Sequence, residues 1–288
     1  MPVFAIFALC ALTNGFAARL ADPLVLPVSA HFMVAASLAA MLNTAYALPY
    51  AFAQPLLGPL GDRFSKERCI QICATGLGLS LALGAFAPSF GLLMASRIAA
   101  GIFAGGMTPL VLAALGDRYG MAERQVMIGR MLFAIIGGQM LGSAVSGFAE
   151  QAFGWRSALV IGAVMGISAA VFAWQGLRPA PIAPAADAAP KPSMRALYAK
   201  VFDNPTSLWL YGCVIFEGAL FFGLFPFVGE LLVHSTGAVA TDVGRQTGLV
   251  LGAFGVGGLF YALLVRRVLR VMGMRRMCLI GSIVTALC

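Results

Sequence analysis

Charge is what this sequence has least of. Asp, Glu, Lys and Arg make up 10% of its 288 residues, against roughly 25% in a soluble globular domain. With 60% hydrophobic residues, a soluble enzyme is excluded on composition. Metal and nucleotide chemistry are missing too. His31 and His234 lie far apart in predicted loops, and no cysteine pair has zinc spacing, so no metal site is expected. No glycine-rich stretch ends in a phosphate-binding Lys, so nothing suggests an ATP-driven pump, and no cofactor is implied. No nucleophile–base arrangement is present, and no enzyme is expected. The six cysteines, Cys10, Cys69, Cys73, Cys213, Cys278 and Cys288, mostly sit in apolar segments and form no disulfide framework. Residues 1–21 lack a basic n-region, and the apolar run continues to Pro27, so they read as an uncleaved span rather than a signal peptide.

What the chain has is apolar runs of about 20 residues, the length that crosses a bilayer. They predict spans near 4–28, 34–58, 68–88, 90–115, 125–148, 156–176, 206–233 and 246–266, with a last one starting near 276. The fold class is all-α, a polytopic membrane bundle. Prolines at 23, 27, 49, 55 and 59 predict kinks in the first two spans. The net charge of +8 does not indicate nucleic acid, because the bases cluster in short connections. Fifteen of the nineteen fall on one side, in the groups 63–68, 118–130, 178–200 and 266–276. That bias places the N-terminus in the cytoplasm. Residues 178–193, rich in Pro and Ala, read as a flexible linker, and Met194 to Phe202 as a short surface helix. The expected division is 1–177 as a six-helix bundle, 178–205 as the linker, and 206–288 as a partial second bundle.

Between the second and third runs lies Gly58-Pro59-Leu60-Gly61-Asp62-Arg63-Phe64-Ser65-Lys66-Glu67-Arg68. Charge this dense predicts a short connection outside the hydrocarbon. Asp62 is placed to cap a helix N-terminus. The stretch resembles the loop signature of the major facilitator superfamily: Gly58, Leu60, Asp62, Arg63 and Lys66 match in place, and Arg68 follows. Ser65 stands where the family has Gly, and Glu67 interrupts the basic pair. A weak second copy, residues 266–277, precedes the ninth span. The resemblance implies two six-helix bundles around a midplane site exposed to each side in turn. It also implies that the chain stops inside its ninth span, and that Asp62 latches the halves through a late helix.

Charges inside spans are the strongest site candidates, since each costs roughly 2.5–3.5 kcal/mol at a helix centre. Arg19 and Asp22 are three apart on the first span and face one way. Either they neutralise each other or Asp22 carries a proton beside Arg19. Arg97 opens Arg97-Ile-Ala-Ala-Gly101-Ile-Phe-Ala-Gly105, whose glycines form a close-packing face. It resembles a fourth-span family signature whose Arg is linked to proton transfer; a carbonyl-satisfied packing Arg is the other reading. Glu217 lies among Phe216, Phe221 and Phe222 and is a candidate proton or cation site. Asn43, Tyr46, Tyr50 and Gln54 share one face of the second span and either line a path or pack. Gly138-Gln139-Met140-Leu141-Gly142-Ser143-Ala144-Val145-Ser146-Gly147 looks like the family's antiporter signature, with Ser143 for its Pro and Ser146 for a Gly. Gln139, Ser143 and Ser146 form a polar stripe there.

The resemblance implies a multi-pass, proton-coupled secondary transporter that exports a small molecule, similar to drug and small-molecule exporters. Lipid, substrate and protons are its expected partners, without nucleic acid. A monomer in a bacterial inner membrane is expected. Proton symport for uptake and a truncated, non-transporting membrane protein are the alternatives.

Overall fold

The computed structural model describes residues 2–178, 202–236, 243–253, 255–257, 260 and 276, without the side chains of residues 57–60, 62, 63, 121, 122, 125, 217 and 220–222. The linker at 179–201, the second motif copy at 266–275 and the ninth span beyond Arg276 lie outside the described residues. Those that are described form helices and no strands, an all-α membrane bundle.

The helices are α1 (Val3–Arg19), α2 (Val25–Phe32), α3 (Ala36–Phe64), α4 (Lys66–Ala85), α5 (Phe90–Arg118), α6 (Met121–Phe153), α7 (Arg156–Gly176), α8 (Pro205–Leu224) and α9 (Val228–Thr236). Residues 243–253 are helical as well. Among the described residues, five stretches are long and apolar enough to span a membrane: Val3–Phe32, Lys66–Ala85, Phe90–Arg118, Val126–Phe153 and Arg156–Gly176. The 29-residue α3 is about 43 Å long at 1.5 Å per residue, more than a bilayer core.

α1 packs on α6 and α7, α3 on α5, and α4 between α5 and α7. Lipid tails are as apolar as Leu, so these helices gain little by hiding apolar surface from water, and close backbone contact takes over. Small residues provide it. A Cβ on Gly101 or Gly105 would stand 2.2 or 2.5 Å from the carbonyl oxygens of Tyr46 and Tyr50 on α3. The α6 glycines do the same against α1: a Cβ on Gly138 or Gly142 would meet the Leu12 or Phe16 carbonyl at 2.1 or 2.5 Å. The face expected for Gly101 and Gly105 is therefore present. The glycines of the antiporter-like segment serve as a packing seam.

Four expectations need correction. The first span is not one helix: α1 ends at Arg19, and a 3-10 turn over Asp22–Leu24 leads into α2. Pro23 has no N–H to continue the ladder. The seventh span breaks likewise, at a 3-10 turn over Phe225–Phe227 with Pro226 inside. The signature at 58–68 is not a loop for most of its length: α3 runs to Phe64 and α4 begins at Lys66, so Ser65 alone makes the connection. Its φ of 75° lies in a region that favours glycine, which accounts for the family's Gly at this place. The N-cap of α4 is Ser65, its Oγ accepting from the Arg68 N–H at 3.2 Å; the Asp62 side chain, expected to cap a helix, lies outside the described residues. Finally, His31 and His234 sit in the last turns of α2 and α9 rather than in loops.

Candidate functional site

A cavity of about 930 Å³ opens between α1, α3, α6 and α8. Asn43, Tyr46 and Tyr50 on α3, Arg19 on α1 and Gln139 on α6 line it, together with apolar Ile215, Pro226 and Phe227 from the seventh span. Tyr46 and Tyr50 are stacked, their ring centroids 5.8 Å apart. Gln54, three turns beyond Asn43, is exposed and lies past the lining. Three of the four residues expected on one face of the second span line the cavity, and Gln54 does not.

Behind the tyrosines is a buried polar cluster. Arg97 is 1% exposed. Its Nη1 donates to the Ala17 carbonyl at 3.1 Å, its Nε donates to the Leu42 carbonyl at 3.4 Å, and its guanidinium lies 4.5 Å from the Tyr46 ring centroid. One side chain on α5 thus ties α1 to α3. Tyr46 Oη donates to Asn14 Oδ1 at 3.3 Å, and Asn14 Nδ2 donates to Thr108 Oγ1 at 2.8 Å. Asn14 and Thr108 were not picked out from the sequence. A polar residue mid-span beside Pro109 was the available signal.

Asp22 sits in the 3-10 turn, 2% exposed. Its Oδ2 is 3.6 Å from Arg19 Nη1, too long for a hydrogen bond. Neither carboxylate oxygen has a hydrogen-bond partner among the described residues, nor has Nη2 of Arg97. Arg19 also stacks on Phe225, 4.7 Å from its ring centroid, so the turn of the first span meets the turn of the seventh. The structure brings together Arg19, Asp22, Arg97, Asn43, Tyr46, Tyr50 and Gln139. Ser143 is buried and lines a smaller pocket of about 220 Å³ that shares Arg19 and Gln139 with the cavity, whereas Ser146 is buried and lines neither. Glu217 falls on α8, and its side chain lies outside the described residues, as do those of Gly58, Leu60, Asp62 and Arg63. No group of ligands fit for a metal ion occurs among the described residues.

At the far end of α3, Lys66 is ion-paired to Asp117, and Arg118 Nη2 donates to Glu67 Oε1 at 2.8 Å. These two pairs clamp the start of α4 to the end of α5. Glu67, read as an interruption of a basic pair, is 7% exposed and is half of the clamp. The signal was in plain sight: Leu-Gly-Asp-Arg occurs at 60–63 and again at 115–118.

The Major Facilitator Superfamily family model matches residues 7–288. The chain belongs to the major facilitator superfamily. An uncharacterized MFS-type transporter of Bacillus subtilis, YceJ, is 28% identical over 269 residues, covering 92% of this chain and 66% of the relative. Among solved structures, a bacterial homologue of the human lysosomal transporter Spinster, inward-facing and unoccupied, superposes with a TM-score of 0.72 at 19% identity, over 92% of this chain and 63% of that one. A D-xylose–proton symporter superposes with a TM-score of 0.68 at 17% identity, over 92% of this chain and 69% of that one. The chain thus spans about two thirds of the length of the relatives it matches. It is a multi-pass membrane protein of a transporter family, and the superfamily's fold is the one seen here.

Proposed function

We propose that the chain supplies the first bundle and part of the second bundle of a proton-coupled secondary transporter that exports a small amphiphilic molecule. Residues 1–177 are the first bundle, 178–205 the connecting linker and 206–288 the part of the second. The molecule sits in the cavity between α1, α3, α6 and α8, against Tyr46, Tyr50 and the apolar seventh span, with Arg19, Asn43 and Gln139 for its polar end. Asp22 carries the coupling proton. The observation that supports this most is a buried carboxylate whose oxygens accept no hydrogen bond among the described residues, placed where two spans break. Arg19, 3.6 Å away, offsets only part of the cost of burying a carboxylate that accepts no hydrogen bond, so gaining and losing a proton changes the energy of this turn. Arg97 holds α1 and α3 in register around it, and Arg19 sits between Asp22 and the cavity. Glu217 is a second candidate for proton or cation binding. Gly58, Leu60, Asp62, Arg63, Lys66 and Arg68 form the gate on the side we assign to the cytoplasm, with the N-terminus on that side and the whole protein a monomer in a bacterial inner membrane.

The test uses the whole protein in proteoliposomes with an imposed pH gradient and a panel of cationic, neutral and anionic amphiphiles. Transport of one class that follows the gradient is the expected result. Transport indifferent to the gradient rejects the proton role, and inward movement with the proton favours uptake by symport. The likeness in fold to a D-xylose–proton symporter is what keeps that second reading in play.

A further inference from the structure

A second groove lies on the opposite flank of the bundle, between α4 and α7, and shares no residue with the cavity. Its volume is about 370 Å³, and Leu79, Ile167, Ala170, Val171 and Trp174 form its walls. The groove exists because the two helices touch backbone to backbone beneath it. A Cβ on Gly166 would stand 2.6 Å from the Gly78 Cα, and one on Gly78 would stand 2.7 Å from the Ile167 nitrogen. No side chain can fill the floor, while Leu79, Ile167, Val171 and Trp174 stay exposed on either side. From Ile167 to Trp174 the trough runs about 10 Å along α7 at 1.5 Å per residue.

One end of this trough is polar and cationic. The Trp174 indole Nε1 donates to Thr75 Oγ1 at 3.1 Å, which fixes the ring. Arg68 lies over that ring, 5.3 Å from its centroid. Gln71 Nε2 donates to the carbonyls of Ala173 and Leu177 at 3.1 and 2.8 Å, so the start of α4 and the end of α7 share one level. Arg178, just past α7, is exposed at the same end. The neighbouring charges are already neutralised: Lys66 is paired with Asp117 and Arg118 with Glu67. Among the described residues neither Arg68 nor Arg178 has a carboxylate partner. An apolar trough, a fixed Trp at its mouth and two guanidinium groups without a carboxylate partner among the described residues match one kind of occupant. An acyl chain fits the trough, Trp sits at headgroup depth, and a phosphodiester takes Arg in preference to Lys.

We infer that the groove between α4 and α7 seats an anionic phospholipid, one acyl chain along Ile167 and Val171 and its phosphate at Arg68 and Arg178. The site is separate from the transport cavity and shares only Arg68 with the proposed gate, and lipid occupancy is read without transport. It can be read with Trp174 as the only tryptophan among these 288 residues, by Trp155→Phe and Trp209→Phe, with excitation selective for tryptophan over the six tyrosines. Bilayers doped with phosphatidylglycerol or phosphatidylcholine carrying the same brominated chains then report occupancy by quenching. The expected result is half-quenching by the anionic lipid at a mole fraction about fivefold lower per contributing arginine, the weight of one basic side chain at an anionic surface. Arg68→Gln with Arg178→Gln should abolish that preference while leaving quenching by phosphatidylcholine intact. Arg68→Lys, which keeps the charge but loses the planar fork, should keep only part of it, and millimolar inorganic phosphate should not displace it. Equal quenching by both lipids overturns the inference, as does a preference that survives the double substitution. Displacement by phosphate would show an anion site without a lipid. Protection of Trp174 from both lipids would show the groove covered by protein.

Discussion

Asp22-Pro23-Leu24 and Phe225-Pro226-Phe227 interrupt the first and seventh spans at matching points, 203 residues apart. The geometry is the same: a long helix, a three-residue 3-10 turn with proline in its middle, then a short helix. The chemistry differs. The first turn buries an acid beside Arg19, with the cationic Arg97 close by. The second presents aromatic rings, and one of them covers Arg19. Paired breaks of this kind mark where a transporter builds its site. Under the function proposed above, the difference puts proton handling in the first half and apolar lining in the second. In the same register Asn14, which holds Tyr46, corresponds to Glu217, since each lies eight residues before its turn.

The largest effect expected is at the acid. Asp22→Asn should lower pH-driven transport by on the order of 100-fold, by analogy with the low end of what a positioned acid–base group contributes in an enzyme, while Phe225→Asp should not restore it. Recovery in the double variant would make the two turns interchangeable and end the division of labour. Arg97→Ala comes next. It strips donors from the buried carbonyls of Ala17 and Leu42 and should cost about 1–3 kcal/mol for each one left without a partner, read as a fall in Tm in detergent. Unchanged Tm would mean Arg97 does not join α1 to α3. Phe225→Leu removes only the ring over Arg19. A cation–π contact here is worth roughly 0.5–2 kcal/mol, so a two- to thirtyfold change in apparent affinity is expected, with pH coupling retained. Ser65 lies outside both turns and should have the smallest effect. Ser65→Gly relieves the positive φ and should stabilise by about 1 kcal/mol, whereas Ser65→Ala keeps the strain, loses the cap and should destabilise by about as much. Thermal unfolding of the two variants would show opposite signs.

Much of this was legible in the sequence because lipid leaves so few choices. Apolar length located the helices, and intramembrane charge selected Arg19, Asp22 and Arg97, which the fold gathers in one place. Two kinds of feature escaped. Exact breaks escaped because proline says that a helix is disturbed but not whether it bends or stops; α3 runs through Pro49, Pro55 and Pro59, while Pro23 and Pro226 sit in true interruptions. Long-range pairing escaped as well. Nothing local in Asn14 or Glu67 announces Thr108 or Arg118, although the doubled Leu-Gly-Asp-Arg hinted at the second pair.

The most direct test separates binding from coupling at Asp22. Counterflow exchange at equal pH on both faces needs the cavity and the rocking motion but no net proton movement, while transport driven by a pH gradient needs both. Asp22→Asn should retain counterflow near the level of the unmodified protein and lose gradient-driven transport. A variant that keeps both, or loses both while folded, contradicts the assignment of the proton to the first-span turn.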